Sequence, residues 1–98
     1  MTVADQLAPA GLVAISLVRR AAADGTARRV RELAGVTLEE LGRACGVEPQ
    51  TVLRWENGSR SPRTAAAGRY AAAVVALVAT LGDDDPEVRR LKVALGAA

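Results

Sequence analysis

The side chains able to do chemistry in this chain are few, and their spacing excludes most reactions. No histidine occurs among the 98 residues, so imidazole general-base catalysis is absent and a His/Cys metal site has no ligands to draw on. The one cysteine, Cys45, cannot form an internal disulfide and reads as a small buried hydrophobe rather than a redox sensor. Glu39 and Glu40 are adjacent, so on a helix they point different ways and are no acid–base pair. Asp83, Asp84 and Asp85 resemble a metal cluster, but no further acceptor stands in register with them. Asp85 before Pro86 reads as a helix cap with solvated neighbours. Without a nucleophile–base pair or a glycine-rich phosphate loop, neither an enzyme nor a cofactor or metal is expected. What remains is arginine. Residues 19–69 hold ten arginines against six acidic residues, a local net of +4, whereas the whole chain nets only +2. Guanidinium suits bidentate contact with phosphate and guanine, and a positive middle suits a phosphate-facing surface. A coding bias toward arginine would give the same composition.

Those side chains need elements to hold them. Ala and Leu dominate, only Trp55 and Tyr70 are aromatic, and the alternation typical of strands is missing. The chain therefore reads as all-α. A loose start over 1–8 precedes a helix over Ala10–Ala23, with Leu12, Ile15 and Val18 or Arg19 near one stripe. Asp24-Gly25-Thr26 breaks it, Asp24 or Thr26 being able to cap a second helix over Ala27–Ala34, ended by Gly35. Thr37 and Glu40 form a capping box for Leu38–Cys45, and Gly46 suits a left-handed turn. Glu48 is the next cap, with Pro49 in the first position of a helix that runs to about Asn57 and stops at Gly58. Ser61-Pro62 repeats that signal before Arg63 to about Leu81, with Tyr70, Val74, Leu77 and Leu81 at helical spacing and Gly82 beyond. Asp85-Pro86 opens a last helix through Leu95, with Val88, Leu91 and Leu95 on one face.

The segment Leu38 to Glu56, LEELGRACGVEPQTVLRWE, is two helices joined by a turn of about three residues. Such a joint makes separate demands on separate positions. Leu41, Cys45, Val47, Val52 and Trp55 fall where a shared core needs apolar groups. Gly42 is the small residue where the second helix crosses the first, and Gly46 tolerates positive φ in the turn. Trp55 on this helix reads as core rather than as a base-stacking indole, and Tyr70 as core or a surface anchor.

With these slots filled, the sequence resembles the Cro/repressor-type (XRE-like) helix-turn-helix family over roughly residues 26–81, most specifically in GVEPQTVLRWENGSRSP, residues 46–62. The resemblance implies a compact bundle of five helices starting near 26, 38, 49, 63 and 86, with an extra N-terminal helix before them. It implies that residues 49–57 enter the major groove of double-stranded DNA. Gln50 and Arg54 would be the main base readers, a Gln pairing with adenine N6/N7 and an Arg with guanine O6/N7. Thr51, Asn57, Arg60 and Arg63 resemble phosphate contacts, joined by Thr37 with the amides of the helix it caps, and by Arg43. Arg31 and Glu56 occupy positions that form a structural ion pair in relatives.

Three departures bear on readout. Pro49 stands where relatives often carry a polar reader, so it offers only a thymine-methyl or sugar contact. Leu38 replaces a frequently polar phosphate contact. Leu53 lies on the reading face, open either to a thymine methyl or to a protein partner. The expected organisation is an N-terminal helical extension at 1–25, a helix-turn-helix domain at 26–82 and a C-terminal helix at 83–98 for dimerisation. The helices at 10–23 and 86–95 are the two candidate homodimer surfaces. The function expected is that of a small transcription regulator, a repressor of phage, plasmid or toxin–antitoxin type. A protein-interaction module, antitoxin or anti-repressor, is the alternative. An excisionase-like architectural protein is a third reading, since T-V-x-R-W also occurs in winged-helix relatives. The apolar run from Leu7 to Val18 is too short to span a bilayer and lacks a basic start, so no membrane association and a cytoplasmic location are expected.

Overall fold

The computed structural model describes residues 9–96. The expected loose start at 1–8 lies outside them. The described residues form six helices: α1 (Pro9–Asp24), α2 (Thr26–Leu33), α3 (Leu38–Cys45), α4 (Pro49–Glu56), α5 (Thr64–Ala79) and α6 (Pro86–Ala94). No strand occurs among the described residues, so the strand pair that a wing requires is not found there.

Local chemistry sets several boundaries. Gly25 takes φ +92° between α1 and α2, and Asp24 Oδ1 accepts from the Thr26 amide at 2.9 Å. At α3 the capping box is complete: Thr37 Oγ1 accepts from the Glu40 amide at 3.0 Å, and Glu40 Oε1 accepts from the Thr37 amide at 2.9 Å. Asp85 Oδ1 accepts from the amides of Glu87 and Val88 at the start of α6. Elsewhere the side-chain caps differ from expectation. Glu48 is the cap residue of α4, but its side chain makes no capping bond, and Pro49 alone marks the start. Ser61-Pro62 does not cap α5. Pro62 is buried as part of the preceding loop, and Arg63 takes the cap position without a side-chain bond. The far end of α5 also comes early, at Thr80, whose hydroxyl donates to the Leu77 carbonyl before Gly82 is reached.

One core joins all six helices. It is built from Ile15 and Val18 of α1, Val30 of α2, Leu41 and Cys45 of α3, Val52 and Trp55 of α4, Tyr70, Val74 and Val78 of α5, and Val88 and Leu91 of α6. Helix α5 is central, packing on α1, α2, α3 and α6. Helix α4 packs on α3 and α1. The apolar stripe of α1 is covered only from Ile15 onward. Leu12, expected on it, lies one turn earlier and is 50% exposed.

Candidate nucleic-acid interface

The site is the outer face of α4. Its inner residues Val52, Trp55 and Glu56 are buried, which turns the opposite side outward. Gln50 and Arg54, one turn apart, are exposed there, and Pro49, Thr51 and Leu53 are half-buried beside them. Among the described residues, neither the Gln50 nor the Arg54 side chain has a hydrogen-bond or ion-pair partner. Both are therefore available for an external ligand.

Four contacts fix where α4 sits. A Cβ on Gly42 would meet the Val47 carbonyl oxygen at 2.8 Å and the Pro49 nitrogen at 3.3 Å, so α3 and α4 approach to backbone contact. Gly46 turns the chain at φ +71°, while Val47 N–H donates back to the Gly42 carbonyl. Trp55 lies against Tyr70, ring centroids 4.7 Å apart and planes tilted by 53°. At the end of α4, Glu56 receives both arms of Arg31, Nε to Oε2 at 2.6 Å and Nη2 to Oε1 at 3.0 Å, while Arg31 Nη1 donates to the Val36 carbonyl. The Glu56 side chain is 1% exposed and that of Arg31 12%. The hydrogen bond to Glu56 raises the Arg31 pKa, so the guanidinium stays charged despite its burial.

Around this face the expected phosphate contacts fall into two groups. Thr51, Arg60 and Arg63 line one open hollow of about 600 Å³ between α4 and the start of α5, with Ser59 and Ser61. Arg60 and Arg63 are exposed. Thr37 and Arg43 stand apart from that hollow, at the start and in the last turn of α3. The backbone bond from Thr37 holds the Glu40 carboxyl below its ordinary value, because the ionised form accepts more strongly. Asn57 has a structural task as well: its Oδ1 accepts from the Ser59 amide at 3.0 Å, which leaves its amino group as the free donor. Thr64, the first residue of α5, sits at φ +55°, a conformation costing on the order of 1–3 kcal/mol for a β-branched residue. Cys45 is buried, which pushes its thiol pKa up to about 11.

Two arginines gain roles that spacing did not reveal. Arg69 Nε, on α5, donates to the Cys45 carbonyl at 2.6 Å and so caps the end of α3 beside the turn. Arg19 Nε, on α1, donates to the Pro62 carbonyl at 2.9 Å. Both bridge distant parts of the chain, and the only signal in the sequence was their membership of the arginine-rich middle.

A family model described as helix-turn-helix matches residues 28–73, the span from α2 into α5. No curated protein matches the chain, and no solved structure does. With two short helices in backbone contact, a glycine turn between them and an outward polar face on the second, the chain carries, by that match, a DNA-binding helix-turn-helix domain of the Cro/repressor (XRE-like) family.

Proposed function

We propose that the protein is a sequence-specific binder of double-stranded DNA, a small cytoplasmic transcription regulator of the phage, plasmid or toxin–antitoxin repressor type. The observation that carries this reading is the pair Gln50 and Arg54. They share the exposed face of a helix whose other face is locked into the core, and among the described residues neither side chain has a hydrogen-bond or ion-pair partner. In the major groove such a face brings a Gln and an Arg to base edges, while Thr37, Arg43, Thr51, Asn57, Arg60 and Arg63 meet phosphates that fix the register. Leu53 and Pro49 supply apolar contacts between them. A homodimer on a palindrome completes the proposal, joined through the outer faces of α1 or α6, where Leu12, Val13 and Val93 are exposed.

Selection of duplexes from a random library tests it. The expected product is a palindrome with half-sites about ten base pairs apart. Arg54→Ala should then cost about 1–3 kcal/mol and relax preference at one base pair. Arg63→Ala should weaken binding to all sequences alike and lower the salt slope by roughly one. Failure to enrich any sequence at moderate salt overturns the proposal. It would favour the second reading, a protein-interaction module, for which the half-buried Leu53 in the middle of the reading face is the supporting observation.

A further inference from the structure

Helix α1 lies outside the segment that matches the family, yet it is one of the helices on which α4 packs. Its last turns also reach the loop behind α4. Arg19, Ala22 and Ala23 share a small hollow with Trp55, Gly58 and Pro62. A Cβ on Gly58 would stand 3.7 Å from the Ala23 carbonyl oxygen. Within the loop, the Arg60 amide donates to the Arg54 carbonyl and the Ser59 amide to Asn57 Oδ1, so its first half is tied to α4. Among the described residues, the bond from Arg19 Nε to the Pro62 carbonyl is the only hydrogen bond that ties Ser61 or Pro62 to another element. Two residues further on, Thr64 holds φ +55°, a conformation that persists only where the surroundings impose it.

We propose that Arg19 is a positioning residue for DNA binding: by holding the Pro62 carbonyl it fixes the loop that presents Arg60 and Arg63 to the phosphate backbone. A loop ordered before the encounter loses less freedom on binding, so its two cations engage at lower cost. Helix α1 is on this account part of the DNA-binding device. The inference rests on the reading of α4 and its loop as a duplex interface.

Two neutral variants of the full chain decide the matter. Arg19→Gln places its Nε2 donor as many bonds from the backbone as the arginine Nε, without the charge. Arg19→Met has a similar stem and neither donor nor charge, and both replacements are good helix formers. Each is titrated, over a range of salt, with a duplex that the wild-type chain selects from a random library. Arg19→Met should bind about tenfold more weakly, with base preference unchanged and a salt slope lower by roughly two, as both loop cations disengage. Arg19→Gln should stay close to wild type. Equal losses in the two variants overturn the proposal, because Arg19 would then act through its charge on a phosphate. Wild-type affinity in Arg19→Met overturns it as well. Adding Arg63→Ala to Arg19→Met should cost less than the sum of the single losses, and strict additivity counts against positioning. A DNA-free readout separates this inference from the functional reading. In free Arg19→Met the Ala67 amide, which donates to the Arg63 carbonyl just beyond the clamped Pro62, should exchange hydrogen faster than in Arg19→Gln, and equal exchange means that there is no clamp. A wild-type chain that selects no duplex overturns the functional reading, whatever the exchange data say of the clamp.

Discussion

Arg31 and Glu56 show how much one residue pair can decide. Each belongs to a different helix, each is largely removed from water, and the carboxylate takes two guanidinium bonds. Removing Arg31 alone strands a buried charge at the end of α4. Arg31→Met should therefore destabilise the fold by about 3–5 kcal/mol in denaturant unfolding. The double variant Arg31→Met with Glu56→Met leaves no stranded charge and should be more stable than either single one. A double variant that is the least stable of the three would mean that the pair contributes more than its burial costs. The resemblance pointed to this ion pair, and it also named Gln50 and Arg54, which the structure leaves exposed on α4. It gave no hint of Arg19 or Arg69, because their partners are backbone carbonyls 43 and 24 residues away. A carbonyl has no residue type, so no motif records it.

At the scale of elements, the boundaries legible in the sequence are those set within a few residues. Thr37 with Glu40, and Asp85 with the two amides after it, are complete inside one helical turn, and both were expected from residue type alone. Glu48 and Ser61-Pro62 carry similar signals, but Glu48 holds its cap position without a side-chain bond and Ser61-Pro62 does not cap α5. Pro62 is instead drawn into the interior beneath α1, a tertiary demand that overrides the local preference. Gly42 lies between these cases, since its small size is visible in sequence while the need for it is a crossing of two helices. An Ala there would gain about 1 kcal/mol of helix propensity. Its Cβ, however, would face backbone atoms at 2.8 and 3.3 Å, which cannot rotate away as a side chain would. Overpacking of this kind costs about 1–3 kcal/mol, so Gly42→Ala should be destabilised overall. It should also lose DNA affinity beyond what its stability explains, because α3 and α4 must part to make room. Unchanged melting and binding would show that the joint can breathe more than its contact distances imply.

For the whole molecule, the resemblance and the packing draw different boundaries. The family match begins at residue 28, and the helix before residue 25 reads in sequence as an extension. Yet Val18 and Ala22 are each only 1% exposed, and with Ile15 and Ala21 they belong to the same core as α4 and α5. Burying a Val or Ile side chain is worth about 1.5–3 kcal/mol, against a total stability of about 5–15 kcal/mol for a native domain. Losing α1 would forfeit two such side chains and two alanines, and would uncover the faces of α4 and α5 that they meet. A fragment spanning residues 25–98 should accordingly lack a cooperative thermal transition and dispersed amide resonances, although it retains the entire matched segment. The magnitudes make this outcome decisive, because what is removed approaches the lower end of a domain's whole stability. Should the fragment instead melt cooperatively near the temperature of the full chain, α2 to α6 would form the folding unit, and α1 would be an added brace on a bundle already complete.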